Sequence, residues 1–362
     1  MSEGLHAMAK EIRLAIVGVG NCVSAFLQGL AYYGEAGPNE TAGIMHPDIG
    51  DYRVTDIRPV AAFDIDARKV GRELAEACLA PPNNAYVLPG VKMAPFGVRV
   101  QMGPVLDGVP AHLAKLVEVH RGEPVDVTRA LRESGAEVLL NCLPTGSAQA
   151  ARHYAAAALE AGVGLVNGMP ELVVCDPTYS SRAKELKVPL VGDDVKSQLG
   201  ATIVHRALIV AMLSRGIRIT KTYQLNYAGN TDFLNLVHRG ESKELTKTEA
   251  LTSIIPYETE VSPGFAYIWN MRDRKTARFY VEAVNFGGAP LEIDAKLEVE
   301  DSANFAGTAA DAVRCCGVAR DRGLGGVLES ASAFLMKHPP TPMPDDEALH
   351  CLHEWLAGRR ER

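Results

Sequence analysis

Two adjacent carboxylates and a lysine stand in the segment Gly-Asp-Asp-Val-Lys-Ser-Gln at residues 192–198. The segment directly follows the apolar run Val-Pro-Leu-Val at residues 188–191, which has the composition of a buried strand. Ligands of open parallel sheets bind in the crevice outside the carboxyl ends of the strands. We therefore predict that this charge faces a ligand, and the segment is the first candidate for a reaction centre.

A second chemical signal lies near the N-terminus, where Gly18-Val19-Gly20 follows a predicted strand and precedes a predicted helix. Two glycines let the backbone approach a pyrophosphate, whose charge is met by N–H groups at the helix N-terminus. Val23 occupies the third glycine position of the usual fingerprint, so a plain strand-to-helix turn is also compatible with this pattern. Asp64 favours the dinucleotide interpretation, because a carboxylate at the end of the second strand can bind both ribose hydroxyls and repel a 2′-phosphate, which favours NAD over NADP. Asp64 is equally suited to capping a helix, and the two roles are compatible.

Other polar residues have weaker signals when each is taken alone. The run Asn-Cys-Leu-Pro-Thr-Gly at residues 141–146 would place polar groups at the same sheet edge, although an ordinary turn explains it equally well. Lys243 and Lys247 are four residues apart and would share one helix face, whereas Lys275 and Lys337 lie in separate segments. Each lysine by itself is more typical of a solvated surface charge. Spacing alone does not bring them into one site.

The elements that must position these residues follow two patterns. Short apolar runs alternate with helical stretches through the first half, which predicts βαβ units and a parallel sheet. Beyond Gly200 the alternation at residues 218–226, 277–284 and 291–299 predicts strands of an α+β module. Residues 301–320 are predicted to be helical, and a short helix is predicted to end at Trp355. Predicted strands of the first half are 12–17, 60–63, 138–141, 164–167 and 188–191, with helices at 22–33, 67–78, 148–161 and 180–186.

Composition narrows the class of protein. A chain of 362 residues suits two domains, and a net charge of −7 argues against a surface for nucleic acid or anionic membranes. The first ten residues lack the apolar core of a signal peptide, and the most apolar helical stretch, 201–213, is too short to span a bilayer. Seven scattered cysteines show no CxxC and no metal-ligand spacing. We expect reduced thiols, a cytoplasmic location and no metal site built from these residues.

Six segments of the chain carry a resemblance to a known family: 192–202, 224–235, 242–247, 273–275, 300–302 and 333–339. Together they resemble the signature segments of the myo-inositol-1-phosphate synthase family. The resemblance follows the compact prokaryotic branch, keeps the family's order and extends from about Ile12 to Asp346. It implies a Rossmann-type NAD-binding domain at 1–200 completed by 302–362, with an inserted α+β catalytic and oligomerisation domain at 201–301, in a homotetramer.

The resemblance also implies a reaction that is redox-neutral overall. Tightly held NAD oxidises C5 of glucose 6-phosphate, C6 loses a proton, and the enolate closes on C1 in an aldol step. NADH then reduces the C5 ketone, so that the product is 1D-myo-inositol 3-phosphate and NAD is regenerated. Some family members also use a monovalent or divalent cation. An enolate in a dry pocket requires fixed positive charge where the oxyanion develops, which explains a set of lysines.

The family's functional residues carry over onto matching positions of this chain. Among the matched lysines, we expect Lys243 and Lys337 to lie near the reacting oxygens and Lys247 and Lys275 to lie nearer the phosphate, with Asp194 holding a lysine in position. The implied catalytic set is Lys243, Lys337, Lys247, Lys275, Asp194, Asp232, Asp301, Asn226 and Asn230. The implied cofactor-binding set is Gly18, Val19, Gly20, Asn21, Cys22, Asp64, Asn141, Leu143, Pro144, Thr145, Asp194, Lys196 and Thr202.

Four positions depart from the family's pattern: Val23, Glu171, Tyr227 and Phe305. Drift with compensating repacking is one explanation, since volume changes are often accommodated. The other is a reshaped sugar pocket, as in relatives that convert fructose 6-phosphate to a cyclopentane phosphate for carbocyclic nucleosides. A sugar-phosphate dehydrogenase that releases NADH is a further alternative, as is an inactive NAD-binding regulator. The lysine set argues against the dehydrogenase, because hydride transfer alone needs only one acid/base group. The presence of all four matched lysines argues against the inactive regulator.

Overall fold

The computed structural model describes residues 10–239 and 255–362 and divides the chain into two compact units. The first unit contains the chain up to Asn83 together with Val87–Lys196 and Phe305–Arg362. The second contains Asn84–Tyr86 and Ser197–Asn304. The domain boundaries expected from the sequence, after residue 200 and after residue 301, stay a prediction.

The first unit is built on a parallel sheet of seven strands in the order β11-β6-β5-β4-β1-β2-β3. The order from β3 to β6 is that of a dinucleotide-binding Rossmann sheet. The central strands are apolar runs buried on both faces, which is what a parallel sheet covered by helices requires. The strands are Ile12–Val17 (β1), Ile57–Asp64 (β2), Val100–Met102 (β3), Val138–Asn141 (β4), Gly164–Asn167 (β5), Pro189–Val191 (β6) and Gly326–Val327 (β11).

Helices cover both faces of this sheet. Leu14 and Ile16 of β1 belong to one buried cluster, and Ala15 and Val17 belong to the cluster on the other face. The helices of the first unit are Asn21–Ala36 (α1), Leu74–Ala77 (α2), Val127–Ser134 (α3), Ala148–Ala161 (α4), Pro177–Leu186 (α5), Glu329–Leu335 (α9) and Asp345–Leu356 (α10), while α8 (Asp301–Asp321) continues into this unit from the second.

One predicted helix is largely wrong. Residues 67–78 were expected to be helical, but only Leu74–Ala77 form a helix. The backbone N–H of Gly71 donates to the carbonyl of Val100, and the N–H of Val100 donates to the carbonyl of Arg72. Because these peptide groups pair with a neighbouring segment, they are not available for i→i−4 bonds within a helix.

The second unit is a four-stranded mixed sheet in the order β10-β9-β7-β8, covered on one face by a helix. Ile209 of that helix packs with Ile219 and Val281 of the sheet. The strands are Arg218–Ala228 (β7), Glu260–Tyr267 (β8), Arg274–Val284 (β9) and Pro290–Glu300 (β10), and the helices are Ala201–Ser214 (α6), Thr231–Arg239 (α7) and the start of α8. The predicted α/β class, a Rossmann-type sheet accompanied by a smaller α+β unit, is confirmed. Among the described residues there is no helix long and apolar enough to cross a membrane.

Candidate active site

The glycine turn lies at the carboxyl end of β1, beside the end of β4, where the strand order of the sheet reverses. Gly18 has a φ of 82°, and a Cβ there would lie 2.5 Å from the carbonyl oxygen of Cys142, so only glycine fits. A Cβ on Gly20 would meet no atom within 4 Å. Open space therefore lies over Gly20 at the N-terminus of α1, whose first N–H groups lack partners within the helix. This turn is shaped to admit a pyrophosphate.

Asp64, at the end of β2, is already engaged with the backbone. Its carboxylate accepts hydrogen bonds of 2.7–2.9 Å from the N–H groups of Val19, Ile65 and Asp66. An ionised carboxylate offers about four acceptor positions. The three N–H groups fill three of these positions, so roughly one is left for a ribose hydroxyl, whereas contacts with both hydroxyls were expected. The Lys69 ammonium, 3.7 Å away, also offsets part of the charge that was expected to repel a 2′-phosphate.

Lys69 is a buried lysine that holds the glycine turn. Its Nζ donates to the carbonyl of Val19 at 2.7 Å and to Oδ1 of Asn83 at 3.1 Å. The amide nitrogen of Asn83 donates to the same carbonyl at 3.0 Å. Because Asp64 accepts from the N–H of Val19, the backbone N–H and the carbonyl of Val19 are both hydrogen-bonded to side chains. Sequence analysis missed Lys69 and Asn83, since nothing in their local sequence marks them.

Polar side chains link the ends of β4, β5 and β6 into one buried chain. The Asn141 amide donates to Oδ1 of Asn167 at 2.8 Å, and the Asn167 amide donates to Oδ1 of Asp193 at 2.6 Å. Asp193 is fully buried and also accepts from the backbone N–H groups of Val174 and Cys175. Burial raises the pKa of the Asp193 carboxyl above its usual range. Asp193 therefore holds the ends of the neighbouring strands together and does not face a ligand, although the charge of this segment was predicted to do so.

The neighbouring Asp194 meets Lys337 at this edge. The Lys337 Nζ donates to Oδ1 of Asp194 at 2.8 Å, and its backbone N–H donates to the Asp194 carbonyl at 2.7 Å. The N–H of Asp194 donates in turn to the carbonyls of Asn167 and Met169. Asp194 has a φ of 64°, an uncommon conformation for a residue other than glycine. Backbone pairing therefore places this carboxylate and this lysine side by side although they lie far apart in the sequence.

Lys196 is held within the first unit. Its Nζ donates to the carbonyl of Ala333 and to Oδ1 of Asp345, each at 2.9 Å. These contacts attach the segment after β6 to α9 and α10. The geometry therefore gives Lys196, which was expected to bind the cofactor, a role in packing the C-terminal helices onto the sheet.

The second unit contains another lysine–carboxylate cluster. The Lys275 Nζ donates to Oδ1 of Asp301 at 2.9 Å and lies 5.6 Å from the centroid of the Phe233 ring. The amide nitrogen of Asn230 lies 3.1 Å from Oδ1 of Asp273 and 3.3 Å from Oδ2 of Asp301. The cluster thus joins the end of β7, the start of β9 and the start of α8.

Asp273 is the buried centre of this cluster and was missed by sequence analysis. Its carboxylate accepts from the backbone N–H and the hydroxyl of Ser302, at 3.0 and 2.9 Å, at the start of α8. Burial, followed by the nearby charge of Asp301, raises the pKa of Asp273. The signal was present in the sequence, because Asp273 stands two residues before Lys275 in Met-Arg-Asp-Arg-Lys.

Both clusters hold an ammonium group against a carboxylate. A fixed cation of this kind can bind a phosphate or stabilise a developing oxyanion. It can also exchange a proton with a bound oxygen when its pKa is tuned by its surroundings. The arrangement therefore suits chemistry on a phosphorylated, oxygen-rich substrate.

Comparison with known proteins identifies the family. The model of the family described as Myo-inositol-1-phosphate synthase matches residues 200–302. An inositol-3-phosphate synthase of Mycolicibacterium smegmatis is 45% identical, with 97% of this chain and 99% of that protein covered. The chain belongs to the myo-inositol-1-phosphate synthase family. An inositol-3-phosphate synthase of Corynebacterium glutamicum is 44% identical, with 95% and 98% covered.

Two solved structures are similar to this chain over nearly its full length. The crystal structure of Ari2 is 37% identical to this chain, with a TM-score of 0.83 and coverage of 97% and 99%. A myo-inositol-1-phosphate synthase-related protein from Thermotoga maritima has a TM-score of 0.74 at 24% identity, with 96% and 98% covered. The latter likeness concerns the fold alone.

In this member of the synthase family, the structure brings some of the predicted site residues together. Asp194 contacts Lys337, and Lys275 contacts Asp301. Asp232 lies in the first turn of α7. The predicted residues Lys243 and Lys247 lie outside the described residues. Thr202 lies in the first turn of α6, in the second unit, whereas the rest of the expected cofactor-binding set lies in the first unit, namely Gly18, Val19, Gly20, Asn21, Cys22, Asp64, Asn141, Leu143, Pro144, Thr145, Asp194 and Lys196.

The positions that depart from the synthase pattern have separate explanations. The Glu171 carboxylate is paired with Arg152 at 2.6 Å. Val23 is fully buried in the core beside the sheet. Tyr227 follows Asn226 directly in β7, so their side chains point to opposite faces of the sheet and cannot line one pocket wall together. A Cβ on Gly168 would lie 3.0 Å from the ring of Phe305, which therefore packs at the end of β5.

Proposed function

We propose that this protein is an NAD-dependent cyclase that converts glucose 6-phosphate to 1D-myo-inositol 3-phosphate. The observation that carries the proposal is the identity of about 45% with relatives named inositol-3-phosphate synthase, over nearly the full length of both chains. Two lysine–carboxylate pairs, Lys275 with Asp301 and Lys337 with Asp194, support the proposal. The enzyme class is an isomerase that acts as an intramolecular lyase.

The residues around the glycine turn fit NAD. Gly18 allows the close approach of the loop after β4, and the space over Gly20 can take the pyrophosphate at the N-terminus of α1. Asp64 has an acceptor position left for a ribose hydroxyl. The end of β4, the strand beside β1, carries Asn141, Leu143, Pro144 and Thr145. Bound NAD would supply the hydride acceptor and donor at C5. The protein's part is to bind and orient it.

Lys337 is the residue that we assign to proton exchange at the substrate oxygens. Asp194 holds its ammonium in one orientation, while the lysine side chain remains 48% exposed. Such a group can reach a bound oxygen and give or take a proton there. Lys275, which is held by Asp301, supplies a fixed cation for a phosphate or a developing oxyanion. Lys243 and Lys247 complete the proposed set by resemblance.

Two further parts of the proposal rest on family resemblance. The first is a homotetramer with a small-molecule hexose phosphate as the substrate partner. The second is a monovalent or divalent cation. Among the described residues there is no group of three or more His, Cys, Asp or Glu side chains arranged to hold a metal ion. The mass of the native assembly, measured by light scattering, tests the first part. Activity after dialysis against chelator tests for a divalent cation, and activity after dialysis into a buffer free of ammonium and alkali-metal ions tests for a monovalent one.

The alternative substrate is fructose 6-phosphate, which would give a cyclopentane phosphate. With Glu171 paired to Arg152 and Tyr227 facing away from Asn226, Phe305 remains the departure best placed to affect the sugar. Its ring packs against Gly168 at the end of β5.

Product analysis tests the proposed function. The protein is incubated with NAD and either glucose 6-phosphate or fructose 6-phosphate, and the ring size of each product is determined by NMR. We expect a six-membered carbocycle from glucose 6-phosphate without net accumulation of NADH. A five-membered carbocycle from fructose 6-phosphate alone would establish the alternative. Accumulation of NADH with an open-chain product would overturn the cyclase and identify a dehydrogenase.

A further inference from the structure

The second unit contains a chain of buried polar side chains that the two lysine–carboxylate clusters do not use. His205 of α6 is fully buried, and its ring centroid lies 5.3 Å from that of Phe279. Thr222, Gln224 and Asn226 are alternate residues of β7 and lie on the buried face of the sheet, the face that α6 covers. Polar groups buried in such surroundings are expected to be hydrogen-bonded to one another.

The first contact in the chain determines where the proton of His205 lies. The Thr222 hydroxyl donates to the carbonyl of Tyr280 at 2.7 Å, and its oxygen lies 2.7 Å from Nε2 of His205. A hydroxyl has one hydrogen, and a carbonyl can only accept, so Nε2 must be the donor in the second contact. Burial lowers the pKa of His205 to about 4, so that the ring is neutral near neutral pH. Its Nδ1 is therefore an acceptor.

This tautomer determines the orientation of two amides. Nδ1 of His205 lies 3.3 Å from the amide of Gln224, whose other end lies 3.1 Å from the amide of Asn226. The oxygen and nitrogen ends of an amide are nearly equal in size, so the hydrogen-bond network decides between them. Because Nδ1 needs a donor, the NH₂ group of Gln224 faces His205. The Gln224 oxygen then accepts from the NH₂ group of Asn226.

The series of hydrogen-bonded side chains therefore ends, at Asn226, in a carbonyl oxygen. The end of the Asn226 amide that faces away from Gln224 is buried and has no hydrogen-bond partner among the described residues. Leaving a buried polar group unpaired destabilises a protein, so this end of the amide is suited to bind a ligand. Asn226 pairs with Ala277 across the sheet, and Lys275 lies two residues from Ala277 on the same face. The unpaired oxygen therefore lies on the same sheet face as the lysine of the second cluster, close to it.

We propose that His205 is a positioning residue that, through Gln224, holds Asn226 with its carbonyl oxygen available to the substrate. Asn226 consequently accepts a hydrogen bond from a hydroxyl of the sugar phosphate and does not bind its phosphate, since ionised phosphate oxygens have no hydrogen to donate. This proposal deepens the proposed function and rests on it, because it takes the ligand to be a hexose phosphate. The pattern makes Asn226 a determinant of polyol recognition.

Neutron diffraction from crystals of the deuterated full-length protein tests the hydrogen positions directly. We expect a deuteron on Nε2 of His205 and the ND₂ groups of Gln224 and Asn226 directed toward His205 and Gln224, respectively. A deuteron on Nδ1 would reverse both amides, present the Asn226 nitrogen to the ligand and overturn the proposal. This measurement does not depend on which reaction the enzyme catalyses.

Binding measurements test the consequence for the ligand. In the NADH-loaded protein, which cannot oxidise C5 of the sugar, the dissociation constants of glucose 6-phosphate and of inorganic phosphate are measured by calorimetry for wild type and for His205→Phe, which keeps an aromatic ring beside Phe279. We expect about a tenfold loss of affinity for glucose 6-phosphate, with unchanged affinity for phosphate and for NAD. Equal losses for both probes, or a loss for neither, would overturn the proposal.

Two further variants separate positioning from folding. Ile209 lies on the same buried face of α6 as His205. Ile209→Val should lower thermal stability without changing the affinity for glucose 6-phosphate or for phosphate. Gln224→Leu breaks the link between His205 and Asn226 and should reproduce the selective loss, which keeps the proposal testable if His205→Phe does not fold. Absence of any cyclised product from wild type would refute the proposed function, whereas the neutron and binding results would still decide the hydrogen-bond assignment.

Discussion

The two lysine–carboxylate pairs of this protein are built in different ways. In the first unit, Asp194 and Lys337 are placed by backbone hydrogen bonds between residues 193–195 and 336–338, and the lysine side chain is 48% exposed. In the second unit, Lys275 is only 21% exposed and its partner Asp301 belongs to a side-chain network centred on buried Asp273. One pair thus depends on main-chain pairing and the other on polar side chains.

This difference suggests a division of labour. A lysine with an exposed side chain can approach a substrate oxygen and exchange protons without a large desolvation cost. A lysine enclosed by carboxylates and an aromatic ring is better suited to remain a fixed cation. The comparison therefore supports proton transfer by Lys337 and charge stabilisation by Lys275, and each assignment can be tested separately.

The largest effect is expected for Lys337→Met. Loss of the proton-transferring group should lower kcat by about 10³-fold or more, while the affinity for NAD stays unchanged. Steady-state kinetics and NAD titration check this, with Lys92→Met on an exposed loop as the matched control. Turnover near the wild-type rate would remove Lys337 from the mechanism and with it the proposed contrast between the two pairs.

Lowering the pH should destabilise the protein through protonation of His205, which is buried in the second unit. Its folded-state pKa of about 4 lies below the ordinary value of 6.5, so the unfolded chain takes up a proton first as the pH falls. Above about pH 6.5 the His205 ring is neutral in both states, and the folded state has its full stability with respect to this group. Between pH 6.5 and pH 4 the free energy of unfolding should fall by about 3 kcal/mol. Denaturant unfolding at several pH values should show a shallower decline for His205→Phe. Parallel curves for the two proteins would contradict this prediction.

Lys275→Met should act mainly through the fixed charge. We expect kcat/KM for the sugar phosphate to fall by about 10²-fold. Lys275→Arg should recover part of the loss, because arginine restores the positive charge but its planar guanidinium differs in shape from the lysine ammonium. Kinetics with both variants check the order wild type, arginine, methionine. If Lys275→Arg is no better than Lys275→Met, Lys275 exchanges protons as well, and the division of labour is wrong.

The smallest effect concerns stability and compares the two carboxylates at constant size. Asp273→Asn should lower the free energy of unfolding by about 2 kcal/mol, because one of the donors from Asn230 and Ser302 loses its acceptor. Asp194→Asn should change it by less than about 0.5 kcal/mol, because the backbone bonds remain and asparagine tolerates a positive φ. Chemical denaturation measures both. Equal losses would show that the two pairs do not differ in construction.

Much of the architecture could be predicted from local sequence. The apolar runs that became β4 and β5 are buried on both faces, as a parallel sheet requires, and the glycine turn lies where a strand meets a helix. The helix expected at residues 67–78 failed because its backbone pairs with the segment around Val100, a long-range effect that no local pattern reports. The opposed faces of Asn226 and Tyr227 follow from strand alternation, but the predicted strand ended at residue 226, one residue before Tyr227.

The sequence by itself determined the family, the βαβ order and the residue types of the candidate site, because those depend on local pattern and on motifs kept in order. Tertiary structure decided which charges meet. Asp194 and Lys337 come together because the segment after β6 pairs through its backbone with the segment after α9, and Asp273 and His205 acquire their roles from burial among partners distant in the chain. Burial and hydrogen-bond partners are properties of the folded environment, and it is these that set pKa values, tautomers and the orientation of Asn226.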